Sequence, residues 1–302
     1  MSALESSMTT VAYPFSAGES NAITRVTANS CDCHLHVYDN AYPIAPGARL
    51  NPPTATPDDY RRIQARMGTT RAVLVTPSTY GADNTVMLKG LAQLGAQGRG
   101  VAVITGEESD RQLQDLQDAG VRGVRINLSL GATNDVASIE HIARRIAPLR
   151  WHLQLLMPVD QLMTLGPVLE RLPTDLVFDH FGRITPSLCM KHPAHHWLLN
   201  RMSMGKAWVK LSGGCLVSPR ASIEDPELDE LARSFIDAAP DRVLWGSDWP
   251  HATASAGLQP MPDDARQIDR LAQWATDEQQ LQQILVSNPA RLYDFPPTDF
   301  SR

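Results

Sequence analysis

The sequence predicts an α/β protein closed into a single-domain (β/α)8 TIM barrel. Three observations lead there: eight short runs of β-branched and apolar residues, longer amphipathic stretches between them, and a length of 302 residues with no break in composition. Strand-like runs alternating with helical patterns make a parallel sheet covered by helices. Eight such units close the sheet on itself, and about 250 residues or more commonly serve as one barrel.

The runs fall at 31–37, 72–76, 100–104, 121–127, 152–157, 176–180, 208–212 and 243–247. Between them, apolar residues recur three and four positions apart over 58–67, 84–94, 110–119 and 138–147. The same period continues over 159–171, 194–204, 226–238, 263–274 and 277–286, as expected of helices with one buried face. Segments 52–57 and 213–226 read as substantial loops. An open doubly wound sheet is the alternative, but it calls for a glycine-rich phosphate turn after the first strand. Here the first strand ends in histidines, and the glycines of 95–100 precede a strand instead of opening a helix.

Bulk chemistry excludes several classes. A hydrophobic content of 43% with 20% charged residues is that of a soluble globular chain, and a net charge of −6 provides no broad basic surface for nucleic acid or anionic membrane. Cys31, Cys33, Cys189 and Cys215 form neither a disulfide framework nor a zinc ribbon, which fits a reduced, cytoplasmic protein. Residues 1–29 lack the basic start and long apolar run of a secretory signal or membrane anchor. They read as a flexible N-terminal arm ahead of a barrel over 30–302.

In a parallel barrel the chemistry gathers at the C-terminal ends of the strands. Four of those ends carry polar residues: His34 and His36, Arg125 with Asn127, Asp179 with His180, and Asp248. His34 and His36 are two apart, so on an extended strand both imidazoles face one side, towards the barrel axis. Buried histidines satisfied by the backbone, a loop-capping Asp248 and a structural ion pair between Arg125 and Asp179 are the plain alternatives. A carboxylate among imidazoles at a barrel mouth points instead to acid–base work or to a metal.

Asp32-Cys33-His34-Leu35-His36, the strand ending at His180, Gly246-Ser247-Asp248-Trp249-Pro250 and Asn288-Pro289-Ala290-Arg291-Leu292-Tyr293 together resemble the amidohydrolase superfamily, of the amidohydrolase-2 type. Arg122-Gly123-Val124-Arg125 and Phe178-Asp179-His180-Phe181-Gly182 narrow the resemblance to a lactone-processing branch. That branch holds 2-pyrone-4,6-dicarboxylate lactonases and D-galactarolactone isomerases. Metal-dependent members would imply ligands on strands one, five and eight, with a bridging lysine on strand four. Strand five here ends in Met157, a poor zinc ligand, and strand four carries Arg125, which keeps its proton.

The resemblance therefore implies a metal-independent enzyme without cofactor, acting on a small lactone that carries a carboxylate. Asp248 would be the general base, with His34, His36 and His180 around the carbonyl. Arg125 would hold the carboxylate, and Ser78, Tyr80 and Asn127 would line the pocket. No lysine or arginine occurs in 128–132 or 213–217, so one strong anion clamp is visible. On that ground and the resemblance together, ring migration in D-galactarolactone is the leading specific expectation, with hydrolysis of an aldarolactone or a pyrone dicarboxylate beside it. A metal-dependent decarboxylase or hydrolase using His34, His36, His180 and Asp248 is a second class, and a non-catalytic sugar-acid-binding barrel a third.

Overall fold

The computed structural model describes residues 12–129 and 138–296. Its eight strands lie in one sheet in sequence order: β1 (Cys31–Leu35), β2 (Arg71–Val75), β3 (Gly98–Ala102), β4 (Val121–Asn127), β5 (His152–Leu156), β6 (Leu176–Phe178), β7 (Ala207–Ser212) and β8 (Val243–Gly246). Each is parallel to the next. The crossover helices are α1 (Pro57–Met67), α2 (Thr85–Leu94), α3 (Asp110–Asp118), α4 (Ile139–Ile146), α5 (Val159–Leu169) and α6 (Pro193–Ser203), followed by Glu227–Ala238 and Asp264–Trp274. This is the (β/α)8 barrel that the sequence predicts.

Local chemistry explains the boundaries. Thr56 caps α1 in a reciprocal capping box with Asp59, Pro57 occupies the first turn, and Gly68 ends the helix in the left-handed region at φ 82°. Ser109 and Gln112 make the same box at the start of α3. Leu74, Ile126, Leu155 and Val209 face outward into the helical layer, while Cys31, Val73, Val101, Val177 and Leu244 fill the lower barrel with Tyr293 and Phe295 from the C-terminal segment. All four cysteines are buried free thiols. Among the described residues, no helix is long and apolar enough to cross a membrane.

The seam between β1 and β8 is closed through side chains as well as backbone. Asp32 Oδ1 accepts from the backbone N–H groups of His34 at 3.1 Å and Ser247 at 2.9 Å. Its Oδ2 accepts from the Tyr60 hydroxyl at 2.9 Å and the Ser247 hydroxyl at 2.5 Å, so one carboxylate ties β1, β8 and α1. Gly246 permits the close approach: a Cβ there would sit 2.6 Å from His34 Cβ and 2.7 Å from its backbone nitrogen. A register shift in β1 between Asp32 and Leu35 sends Asp32 outward to α1 and His34 to the barrel mouth.

Residues 12–29, part of the segment read as a loose arm, make specific contacts instead. The Trp249 indole donates to the Pro14 carbonyl at 2.9 Å, Phe15 meets the same ring edge-on, and buried Arg66 donates to Ser16, Ala17 and Ser20. The anchors are isolated aromatics and backbone carbonyls, which leave no periodic trace in the sequence. Residues 1–11 lie outside the described residues.

Burial pushes Asp32 up to about 6 despite its donors, so a neutral isostere is tolerated there better than a truncation. Asp32→Ala strands four donors and is expected to cost about 3 kcal/mol or more in urea unfolding, whereas Asp32→Asn loses about 1–2 kcal/mol. Equal losses for the two variants would contradict this account of the seam.

Candidate active site

The seam delivers both halves of the candidate site. Beyond β8 the Asp248 N–H donates to the His34 carbonyl at 2.8 Å, and the His36 N–H donates to the Trp249 carbonyl at 2.8 Å. Asp248 is held at φ 68°, and beyond β6 His180, Phe181, Gly182 and Arg183 all have positive φ, between 51° and 62°. Each non-glycine residue in that region costs on the order of 1–2 kcal/mol, so packing must hold it there. Gly182 sits so tightly on α6 that a Cβ would meet Leu198 at 2.5 Å.

Three imidazoles converge on one carboxylate oxygen. Asp248 Oδ1 lies 3.6 Å from His34 Nε2, 3.7 Å from His36 Nε2 and 3.9 Å from His180 Nε2. The opposite ring nitrogens are each engaged: His36 Nδ1 donates to the Val75 carbonyl at 2.7 Å, His180 Nδ1 pairs with Ser212 Oγ at 3.0 Å, and His34 Nδ1 meets Lys210 Nζ at 3.3 Å. Burial pushes His34 well below the usual imidazole range and His180 below it, and burial with Arg125 nearby lowers His36 to about 4. The site thus combines neutral imidazoles with a carboxylate.

Below the mouth runs a buried polar chain. Asp179 Oδ2 accepts from Arg125 Nε and Gln154 Nε2, both at 3.1 Å. Burial works against its charge, but the cations Lys210 and Arg125 beside it oppose burial, and Asp179 lies well below the ordinary carboxylate range. Lys210, fully buried on β7, is lowered to about 8 by burial, with Asp179 opposing.

Above the imidazoles is a cavity of about 360 Å³ lined by His36, Ser78, Arg125, His180 and Asp248, all anticipated from the sequence. His34 lies just beneath, fully buried. Tyr80 and Asn127 do not line the cavity: the Tyr80 hydroxyl is used by Asp39, and Asn127 donates to Ser78 Oγ at 2.7 Å, so it orients that hydroxyl instead. Arg125 both lines the cavity and pairs with Asp179, so the structural and binding readings coexist in one side chain.

Sequence reasoning missed Arg49, Arg183, Tyr38 and Gln259 in the lining, and Lys210 and Gln154 beneath it. Lys210 was visible as a cation inside the apolar run Trp208-Val209-Lys210-Leu211, and Arg183 as the residue three past His180. Arg49 comes from a long loop and left no signal. With Arg49 and Arg183 present, the view of a single anion clamp is corrected. Among the described lining residues there are three arginines and one acidic residue.

A metal fits only in part. The two-metal pattern does not fit, because Arg125 stands on β4 and Met157 follows β5. For a single cation, His34, His36 and Asp248 offer suitable donors within 4.8 Å of one another, and His34 Nε2 is buried with no hydrogen-bond partner. These residues, with His180 adjacent, would hold it, and it would polarise a carbonyl as a Lewis acid.

A parallel barrel with histidines at the end of strand one and an aspartate after strand eight gathers imidazoles and a carboxylate at its mouth. The amidohydrolase family model matches residues 31–295, and the chain belongs to that family. It is 33% identical to a 2-pyrone-4,6-dicarboxylate hydrolase of Comamonas testosteroni, over 89% of this chain and 91% of that protein. It is 28% identical to a D-galactarolactone isomerase of Agrobacterium fabrum, over 88% and 91% respectively. A crystal structure from Agrobacterium tumefaciens, 26% identical, superposes with a TM-score of 0.84 over 91% of this chain and 98% of that one.

The loop carrying Asp248 is secured by a buried pair in which His251 Nε2 lies 3.1 Å from Asp264 Oδ1. Burial disfavours the imidazolium, but Asp264 more than compensates and raises His251 above its usual value. The folded state then binds a proton that the unfolded chain has lost, so this stabilisation is complete below ~pH 6.5 and disappears as pH rises through the raised value. His251→Gln is expected to cost roughly 1–2 kcal/mol below ~pH 6 and less above ~pH 8. Thermal melts of both proteins across that range check the sign; a deficit that grows with pH would contradict it.

Proposed function

We propose that the chain is a lactone-processing acyl-transfer enzyme whose substrate carries more than one anionic group. The observation that carries this reading is the cavity itself: Asp248 beneath, neutral imidazoles around it, and Arg49, Arg125 and Arg183 in the lining. Guanidinium forks match carboxylates bidentately, and an anchored lactone would present its carbonyl to the imidazoles. The lactone hydrolase and lactone isomerase among its relatives support the same reading.

In the proposed reaction Asp248 takes the proton of an attacking oxygen while that oxygen bonds to the lactone carbonyl carbon. The carbonyl π electrons move to its oxygen, which imidazole N–H groups stabilise. Collapse of the tetrahedral intermediate breaks the ring C–O bond, and Asp248 returns the proton to the leaving ring oxygen. His36, whose Nδ1 donates to Val75, presents a lone pair at Nε2 and can hold the attacking hydroxyl alongside Asp248.

The attacking oxygen decides the product. Water gives an opened acid, and a hydroxyl of the substrate gives a migrated ring. Ring migration in D-galactarolactone was favoured by the resemblance together with a single clamp, and the second of these grounds is gone. Three guanidinium groups favour hydrolysis of a lactone with two anionic substituents, in the manner of a pyrone dicarboxylate. Isomerisation of D-galactarolactone is the second reading, favoured by neutral donors such as Ser78, Thr79, Thr253 and Gln259 in the same lining.

Proton NMR time courses with both lactones, with and without chelator, separate ring opening from ring migration and expose any metal requirement. Asp248→Asn is expected to lower kcat by about 10²–10⁴-fold. Full turnover by that variant would remove Asp248 from the base role. Arg183→Gln and Arg49→Gln are each expected to raise KM for a dicarboxylated lactone ~10–100-fold, with a smaller effect on a monocarboxylated one.

A further inference from the structure

Lys210 is a charged side chain buried completely at the barrel axis, and the acyl-transfer reaction proposed above makes no direct use of it. Its ammonium donates to Gln154 Oε1 at 2.6 Å and reaches His34 Nδ1 at 3.3 Å. An ammonium has donors only, so the His34 nitrogen that meets it must accept. Asp179 Oδ1 also lies 3.2 Å from that nitrogen and 3.8 Å from the Lys210 ammonium. The rival arrangement, in which His34 donates from Nδ1 to Asp179, sets that N–H against the Lys210 ammonium at 3.3 Å, donor against donor.

A neutral imidazole that accepts at Nδ1 carries its proton on Nε2. His34 Nε2 is the atom that faces the site, 3.6 Å from Asp248 Oδ1, and it is buried without a hydrogen-bond partner. An N–H there is a donor held in reserve at the position where a lactone carbonyl oxygen would arrive. His36 has the reverse assignment, since its Nδ1 donates to Val75 and its Nε2 keeps the lone pair. Two histidines whose rings stand edge to face at 5.1 Å thus present one donor and one acceptor to the same cavity.

We infer that Lys210 is a positioning residue that holds His34 as its Nε2–H tautomer, making His34 an oxyanion donor. The assignment of His34 to the carbonyl oxygen rests on the acyl-transfer reading; the tautomer itself does not. Lys210 also contributes charge below the carbonyl, but it touches no substrate atom and acts through the imidazole.

Long-range nitrogen–proton NMR on protein labelled with ¹⁵N-histidine, with a His34→Gln variant to assign the His34 signals, reads the tautomer without substrate. The expected pattern is a protonated Nε2 for His34 and a protonated Nδ1 for His36. In Lys210→Met the His34 proton is expected to shift to Nδ1, where Asp179 can accept it. In the same variant kcat should fall by about 10²–10³-fold, the loss seen when one oxyanion donor is removed, with KM nearly unchanged. A His34 protonated at Nδ1 in the unmodified protein would overturn the inference even if Lys210→Met failed to fold. So would a Lys210→Met protein that kept both the Nε2–H pattern and full kcat. Because the NMR pattern needs no lactone, failure of the substrate reading and failure of the tautomer assignment give different results.

Discussion

The arrangement on which the rest depends is the seam between β1 and β8, where the Asp32 carboxylate accepts four donors and Gly246 lets the two chains touch. The first and last strands of a barrel are separated by nearly the whole chain. The closing contact therefore carries the loop-closure cost of nearly the full domain. The same contact brings His34 and His36 from one end of the sequence to Asp248 from the other. Barrel closure and site assembly are one event.

The site also shows how a barrel keeps charge at its axis. Asp179, Arg125, Lys210, Gln154 and His34 are all buried, and isolated charges there would be prohibitive. Linked in a chain, the carboxylate is surrounded by donors and each cation has an acceptor. That support is rigid, and it fixes the orientation of the imidazoles above it. The strained backbone at His180, Phe181, Arg183 and Asp248 belongs to the same design. Those residues sit where they are held by closure, by α6 and by the His251–Asp264 pair, and not by their own preferences.

The strand runs and most helix spans were legible because burial imposes a period of two or 3.6 on apolar residues, and that period survives in the sequence. His34, His36, His180, Asp248, Arg125 and Ser78 were legible for a related reason: they terminate buried runs, and strand ends form the mouth. Tyr80 and Asn127 sit close by the same logic, yet each side chain is taken by a neighbour. Arg49 was invisible because a long loop folds it back over the mouth, and loops carry no periodicity. Residues 12–29 looked featureless, since their anchors are the Pro14 carbonyl and the Phe15 ring against Trp249.

By itself the sequence determined the barrel, its order of strands and the residue types that end them, because each follows from local pattern and chain connectivity. Which of those residues act together was decided only in three dimensions. The three-arginine lining needs Arg49, Arg125 and Arg183 from three separate segments, and it redirected the choice of substrate. The role of Lys210 needs the barrel to close so that only β8 separates β7 from β1 and an ammonium meets one nitrogen of one imidazole. Hydrogen-bond direction and charge balance are properties of distances, and distances across a barrel are set when it closes.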